Sequence, residues 1–142
     1  MEYTEKSLIF IVNKDTWKIL FQDRRSISKT WEEWGFFGWS IEEGETPKAA
    51  AIRELKEELD FDITSDFDYL WKISFEYEEK VHNRYMYIDF TDKDKFIDYE
   101  WDGAVYFTYD ELLMLNLWPS DITTRLGMFS DYMKNKKLTI KK

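Results

Sequence analysis

Three glutamates stand close together near the middle of the sequence, and their spacing suits the chemistry of metal ions. Glu57 and Glu58 follow Glu54 by three and four residues, so on an α-helix all three would lie on one side. Carboxylate oxygens are the ligands that hard divalent cations such as Mg²⁺ prefer. Such a helix could hold cations against a phosphate substrate. The spacing alone leaves open a second interpretation, a charged helix surface exposed to water.

The element that must position these carboxylates is a helix predicted from about Pro47 to Leu59. Thr46 is a favourable N-cap residue, and proline suits the first helical position. At about 100° per residue, Ile52, Leu55 and Leu59 share one side. The glutamates then cluster on roughly the opposite side. The helix is therefore expected to offer an apolar stripe to a core and a carboxylate stripe to a ligand.

Strand-like segments flank this helix. The apolar runs Ser7–Val12 and Trp17–Phe21, separated by the polar NKDT, predict a β-hairpin. Two longer strands, FDYLWKISFEYEE and RYMYIDF, are expected to join around KVHN, which places His82 in a surface turn. A further strand is predicted at AVYFT.

Two helices are predicted beyond that strand, at YDELLML and at SDITTRLGMFSDYMKN. The second would begin with Ser120 or Asp121 as its cap, just after Pro119. We find no repeat, no low-complexity linker and no boundary rich in proline and glycine. We therefore expect residues 1–142 to form a single domain.

The composition narrows the classes of function. The 142 residues carry a net charge of −9, which argues against DNA or RNA as a partner because backbone binding needs a basic surface. There is no cysteine, so thiol catalysis and thiolate zinc sites are excluded. We find neither a membrane-length apolar run nor a signal peptide. The expectation is a cytoplasmic protein without a membrane partner.

The order of residues around the helix resembles the Nudix box, G-x5-E-x7-R-E-U-x-E-E-x-G-U, in which U is a bulky apolar residue. The segment 38–61 carries the matching residues at the family spacing: Glu45, Arg53, Glu54, Leu55, Glu57, Glu58 and Phe61. Gly44 and Ala49-Ala50 match two common accessory features. A pattern of this length with several charged positions is a specific signal. The chain is similar to Nudix hydrolases of the MutT-like kind.

Two residues depart from the box. Trp39 and Asp60 stand where family members usually have glycine. Aspartate enters the left-handed backbone region more readily than most residues, so Asp60 can end the helix. Tryptophan would be strained if the backbone at position 39 required positive φ. Either the loop differs in shape or the indole lies over the active site.

The resemblance implies an α/β (α+β) fold: an α/β/α sandwich with a mixed β-sheet and a loop-helix-loop catalytic motif. It also implies a Mg²⁺ cofactor, with Mn²⁺ as a substitute. Glu57 and Glu58 would be the main metal ligands, and Glu54 a ligand or the base that orients water. The carbonyl of Gly38 would complete the coordination. The resemblance also covers a distal acidic residue, Glu100, as an extra ligand or base.

Other residues near the box are candidates for structural or substrate-binding roles. By the same resemblance, Glu45 and Arg53 would pair and fix the loop against the helix. Trp39 and Trp34 offer aromatic faces on which a base could stack. For Trp34 a core position on a strand is the preferred interpretation, whereas both interpretations stay open for Trp39. Arg24 and Arg25 precede the box and could contact phosphate, or remain solvated.

The expected function is a Mg²⁺-dependent pyrophosphohydrolase that cleaves a nucleoside diphosphate linked to another group. A nucleoside triphosphate or an oxidised deoxynucleoside triphosphate is the first substrate class. The alternatives are ADP-ribose, nucleotide sugars or dinucleoside polyphosphates, or a non-catalytic Nudix-fold binding module. Aromatic residues make up 19% of the chain. That surplus would suit a homodimer interface, and a monomer remains open.

Overall fold

The computed structural model describes residues 2–25, 32–96, 103–115 and 126–135. These residues form seven strands, which make up one sheet, and three helices, which pack against it. The strands are β1 (Glu2–Asn13), β2 (Ile19–Asp23), β3 (Trp34–Gly35), β4 (Phe37–Ser40), β5 (Asp68–Tyr77), β6 (Lys80–Thr91) and β7 (Ala104–Phe107). The helices are α1 (Pro47–Leu59), α2 (Tyr109–Leu112) and α3 (Leu126–Asn135).

The sheet is mixed, as the resemblance to Nudix hydrolases implies. Its main order is β3-β2-β1-β6-β5, while β4 also pairs with β1 and β7 with β2. The central pair β1 and β6 is parallel over its full length, from Glu2 opposite Lys80 to Asn13 opposite Thr91. The other pairings are antiparallel. Since parallel strands need a long crossover, the chain between β1 and β6 carries α1.

Helices cover both faces of this sheet, so that the central strands are buried on both sides. One face packs against α1 through a cluster that contains Ile9, Leu20, Leu55, Leu59 and Phe61. The opposite face packs against α2 and α3 through a cluster that contains Phe10, Phe21, Ile88, Leu112 and Phe129. The α+β sandwich with a mixed sheet is therefore confirmed. Among the described residues, no helix reaches the length and apolar character required to cross a bilayer.

The first hairpin is confirmed, and the second is displaced. Strands β1 and β2 pair antiparallel around the predicted turn. Strands β5 and β6 also pair, but their turn lies at Glu78 and Glu79 rather than at KVHN. Both glutamates adopt positive φ, 51° and 62°, as a two-residue hairpin of mirror-image geometry requires. The prediction for His82 was therefore wrong, because His82 lies within β6 and is half-buried.

Helix α1 matches its predicted bounds and both of its ends. The Thr46 side chain accepts a hydrogen bond from the backbone N–H of Ala49 at 3.1 Å. Asp60 ends the helix in the left-handed region at φ 50° and ψ 41°. The strand at AVYFT is confirmed as β7, and YDELLML holds only the short helix α2. Helix α3 is confirmed from Leu126 onward, and its predicted caps at 120 and 121 lie outside the described residues.

Candidate active site on helix α1

The N-terminal part of the site is the loop that connects β4 to α1. Strand β4 lies against β1, with Gly38 opposite Leu8. A side chain at position 38 would meet Leu8 Cγ at 2.8 Å, so glycine is required there for close approach of the strands. Downstream, the Ser7 hydroxyl donates to the Pro47 carbonyl at 2.7 Å. The first turn of α1 is thereby tied to the centre of the sheet.

Arg53 connects the loop to the carboxylates of the helix. Its Nε and Nη2 donate to the two oxygens of Glu45 at 2.8 and 3.0 Å. Its Nη1 donates to Glu54 at 2.7 Å and to Glu57 at 3.3 Å. The predicted pairing of Glu45 with Arg53 is present, and the arginine also lies between two of the three glutamates. The guanidinium therefore offsets the repulsion that their spacing creates.

These contacts stabilise the charged forms of both partners. Hydrogen bonds from the Arg53 side chain and from the Glu42 backbone lower the pKa of Glu45 to about 2. Hydrogen bonds to Glu45 and Glu54 raise the pKa of Arg53 above its usual value. The ion pair that holds the loop is thus fully charged across the physiological range of pH.

Glu58 does not lie with the other two glutamates on an exposed stripe. Its side chain is fully buried, and Ile52, predicted to face the core, is 36% exposed. The Trp39 indole N–H donates to Glu58 Oε2, and the Gln22 amide lies 3.4 Å from Glu58 Oε1. The helix is rotated relative to the prediction, so that Glu58 points inward between α1, β4 and β2.

The three glutamates differ accordingly in their surroundings. The Glu54 side chain is 16% exposed and the Glu57 side chain 58% exposed, whereas Glu58 is fully buried. Across the described ranges, no three carboxylate or imidazole side chains converge into a metal site. Even so, Glu54 and Glu57 are oxygen donors on one rigid helix, and such a donor set suits Mg²⁺. Glu100 lies outside the described residues.

The structure separates the candidates for substrate contact. Trp39 is 7% exposed and is not among the non-glycine residues with positive φ. The backbone at position 39 therefore does not require positive φ, so no strain arises there, and the Trp39 indole is buried. Trp34 lies edge-on to Phe107 at 4.9 Å between ring centroids, and the Arg25 guanidinium lies 5.0 Å from its ring centroid.

Both arginines before the box already contact acidic or amide side chains. Arg25 donates to Asp23 at 2.6 Å. Arg24 donates to the Gln22 side-chain oxygen at 3.1 Å, and its Nε lies 3.6 Å from Glu32. A phosphate would have to share these guanidinium groups with the partners they have in this structure.

Sequence reasoning missed Gln22 and Glu42. Gln22 lies one residue before the end of β2, with its amide toward Glu58. It is a polar residue at a buried position of a largely apolar strand. This polar residue within an apolar run was the signal in the sequence that could have identified Gln22. Glu42 approaches Arg53 at 3.6 Å and offers no signal beyond its charge.

The structure combines a mixed sheet between helices with a loop-helix-loop that carries an arginine and three glutamates. These features place the chain in the α+β class. The family follows from direct comparison. The family model for the NUDIX domain matches residues 3–126, so the chain belongs to the NUDIX family, as the box resemblance predicts.

Relatives and solved structures agree with this assignment. The chain is 36% identical over 91 residues to dihydroneopterin triphosphate diphosphatase of Haemophilus influenzae. The aligned region covers 61% of this chain and 56% of the relative. The match thus spans about half the length of that protein.

Two solved structures are similar over nearly the whole chain. The ORF135 protein of E. coli is 25% identical, with a TM-score of 0.75 over 96% of this chain and 94% of its own. The dihydroneopterin triphosphate pyrophosphohydrolase of E. coli is 19% identical, with a TM-score of 0.72 over 95% of this chain and 99% of its own. At 19% identity that second likeness shows a shared fold.

Proposed function

We propose that this protein is a Mg²⁺-dependent hydrolase that cleaves a phosphoric anhydride bond in a small nucleotide. The observation that carries the proposal is the Arg53 cluster. The guanidinium locks Glu45 of the loop to α1 at 2.8 Å and contacts Glu54 at 2.7 Å. This arrangement lies inside a match to the NUDIX domain that spans residues 3–126.

The chemistry of the donor set supports a metal-dependent reaction. We assign Glu57 and Glu58 as the main metal ligands, with the Gly38 carbonyl and Glu100 as additional ligands. Mn²⁺ is expected to substitute. When bound, the cation would neutralise the phosphates and acidify the attacking water. Glu54 would be a further metal ligand or the base that orients that water, and Glu100 is the second candidate for the base.

In the proposed reaction the water oxygen bonds to phosphorus as the bridging P–O bond breaks. The proton released by the water passes to the carboxylate that orients it. The departing phosphate leaves with the electron pair of the broken bond. The role of the chain is to position the water and to hold Glu54 and Glu57 on one rigid helical turn.

A triphosphate is the preferred substrate class. The resemblance to MutT-like Nudix hydrolases suggests a nucleoside triphosphate or its oxidised form, and the relative from H. influenzae is named for dihydroneopterin triphosphate. These candidates share a triphosphate ester on a sugar or hydroxylated carbon chain, which in turn carries a nitrogen heterocycle. ADP-ribose, nucleotide sugars and dinucleoside polyphosphates are the alternatives that a substrate panel separates.

The experiment is a measurement of phosphate and pyrophosphate release with Mg²⁺, with Mn²⁺ and with chelator. The panel holds dihydroneopterin triphosphate, deoxynucleoside triphosphates, oxidised dGTP, ADP-ribose, a sugar nucleotide and a dinucleoside polyphosphate. Metal-dependent turnover should fall roughly 100-fold or more in Glu57→Gln. Glu76→Gln removes an exposed carboxylate on the edge strand β5 and should leave turnover unchanged.

Two results would contradict the proposal. Turnover that survives chelation would exclude the metal-dependent mechanism, and a full rate in Glu57→Gln would exclude the ligand assignment. Absence of turnover across the panel, in a folded protein that still binds Mg²⁺, would instead identify a binding module.

A further inference from the structure

Glu58 receives hydrogen bonds at both of its carboxylate oxygens from residues outside α1. The Trp39 indole N–H donates to Oε2, and the Gln22 amide approaches Oε1 at 3.4 Å. Glu58 is fully buried, and Trp39 and Gln22 are 7% and 4% exposed. A buried carboxylate is costly unless donors surround it. Trp39 and Gln22 therefore compensate for the burial of Glu58.

The sheet holds the indole N–H group of Trp39 in a fixed position. Trp39 lies in β4 opposite Ser7 of the central strand β1. Its ring stacks on Phe37 with 6.3 Å between centroids. An indole carried by a paired strand has little freedom, so its N–H direction is set by the sheet. The hydrogen bond thus fixes the Glu58 side chain relative to the sheet rather than to α1 alone.

A hydrogen bond of this kind is compatible with metal coordination by the same carboxylate. A carboxylate has about four lone-pair positions on its two oxygens. A carboxylate can therefore accept hydrogen bonds and coordinate a cation at the same time. Residues that hydrogen-bond to a metal ligand set its orientation, and their loss typically weakens metal binding by about 10- to 100-fold.

We propose that Trp39 is a positioning residue that holds the Glu58 carboxylate in one orientation for cation binding. The inference rests on the proposed function, because it takes Glu58 as a metal ligand. It also gives a role to the tryptophan that replaces a glycine of the box. Gln22 supports the same carboxylate from β2 and is expected to contribute less, since its contact is longer.

The test compares Trp39→Phe, which keeps a ring against Phe37 but removes the N–H donor, with Trp17→Phe as a matched control. Trp17 packs edge-on to Phe90 at 5.9 Å between centroids, on the face of the sheet opposite α1. Calorimetric titration with Mg²⁺ should show about tenfold weaker binding in Trp39→Phe and no change in Trp17→Phe. Raising the Mg²⁺ concentration should restore the turnover number of Trp39→Phe, because the ligand is misplaced and not removed.

A spectroscopic measurement on the unaltered protein keeps the test independent of how well the variant folds. Addition of Mg²⁺ should shift the indole N–H resonance of Trp39 in a ¹H–¹⁵N spectrum, and Glu58→Gln should abolish that shift. Gln22→Met, which removes the second donor, should weaken Mg²⁺ binding by less than Trp39→Phe does.

The outcomes distinguish the two proposals. If the unaltered protein binds Mg²⁺ while Trp39→Phe binds it equally well, or the indole resonance does not move, the positioning role fails and the metal-dependent function stands. If the unaltered protein binds no Mg²⁺, both the proposed function and the positioning role of Trp39 are excluded.

Discussion

The Arg53 guanidinium is the single group on which most of the described site depends. It contacts Glu45, Glu54 and Glu57, and so both fixes the loop and separates carboxylates that would otherwise repel. Lysine at this position would supply the charge without the planar fork that holds Glu45 through two nitrogens. The geometry of the guanidinium, more than its charge, explains the choice of residue.

The Glu45–Arg53 pair predicts a specific dependence of stability on pH. Because contact with Arg53 lowers the pKa of Glu45 from 4.5 to about 2, the native state binds that proton less readily than the unfolded state does. The pair's contribution to the free energy of unfolding is therefore present above about pH 4.5 and is lost as the pH falls toward 2. In Glu45→Gln this contribution is absent at every pH.

The measurement is the melting temperature of both proteins from pH 7 to pH 2. The unaltered protein should be more stable than Glu45→Gln at pH 7, and the gap should close below about pH 4.5. Glu43→Gln removes an exposed acid of the same loop and should track the unaltered protein. A gap between the unaltered protein and Glu45→Gln that stays constant down to pH 2 would contradict the assigned cause.

At the scale of the elements, the signals that the sequence carries are local ones. The bounds of α1 were predictable because Thr46, Pro47 and Asp60 each act within one helical turn of the ends they define. The position of the β5–β6 turn was not predictable, because Glu78 and Glu79 adopt positive φ. The asparagine or glycine that usually marks such turns is absent there.

The rotation of α1 was not predictable for a different reason. Helical periodicity places Glu58 with Glu54 and Glu57, whereas the structure buries Glu58 and exposes Ile52. The partners that make this burial tolerable, Trp39 and Gln22, come from β4 and β2. Spacing within one helix contains no information about donors on distant strands, so the carboxylate set was predictable and its geometry was not.

The C-terminus of α1 carries a prediction about backbone conformation. Asp60 has φ 50°, where a residue with a Cβ is strained and glycine is not. Asp60→Gly and Asp60→Ala both remove the 3.0 Å ion pair with Lys56, so their difference isolates the backbone. Asp60→Ala should be less stable than Asp60→Gly by about 1 kcal/mol.

Thermal unfolding of the two variants measures this difference directly. A gap of about 1 kcal/mol corresponds to several degrees in melting temperature for a domain of this size. Equal melting temperatures would mean that residue 60 does not occupy the left-handed region in solution. Ala49→Gly, at an exposed position of the first turn of the same helix, serves as the control for a glycine placed within a helix, where it should destabilise.

At the scale of the whole molecule, the net charge of −9 couples stability to cations. Any cation screens the self-repulsion of an acidic chain, but a ligand that binds only the native state stabilises by RT ln(1 + [L]/Kd). At a concentration one hundred times its dissociation constant, Mg²⁺ should therefore add about 2.7 kcal/mol to the free energy of unfolding. Sodium chloride of equal ionic strength should add much less and should not saturate.

The melting temperature of the unaltered protein and of Glu57→Gln, each titrated with MgCl₂ and with NaCl, separates site binding from screening. The unaltered protein should show a saturable rise with Mg²⁺ that Glu57→Gln largely lacks, while both respond alike to NaCl. Because Glu57 is 58% exposed, its substitution by glutamine should not itself unfold the domain. An equal, non-saturating rise in both proteins would assign the effect of Mg²⁺ to screening of the acidic surface, and Glu57 would then be a solvated residue of α1 rather than a metal ligand.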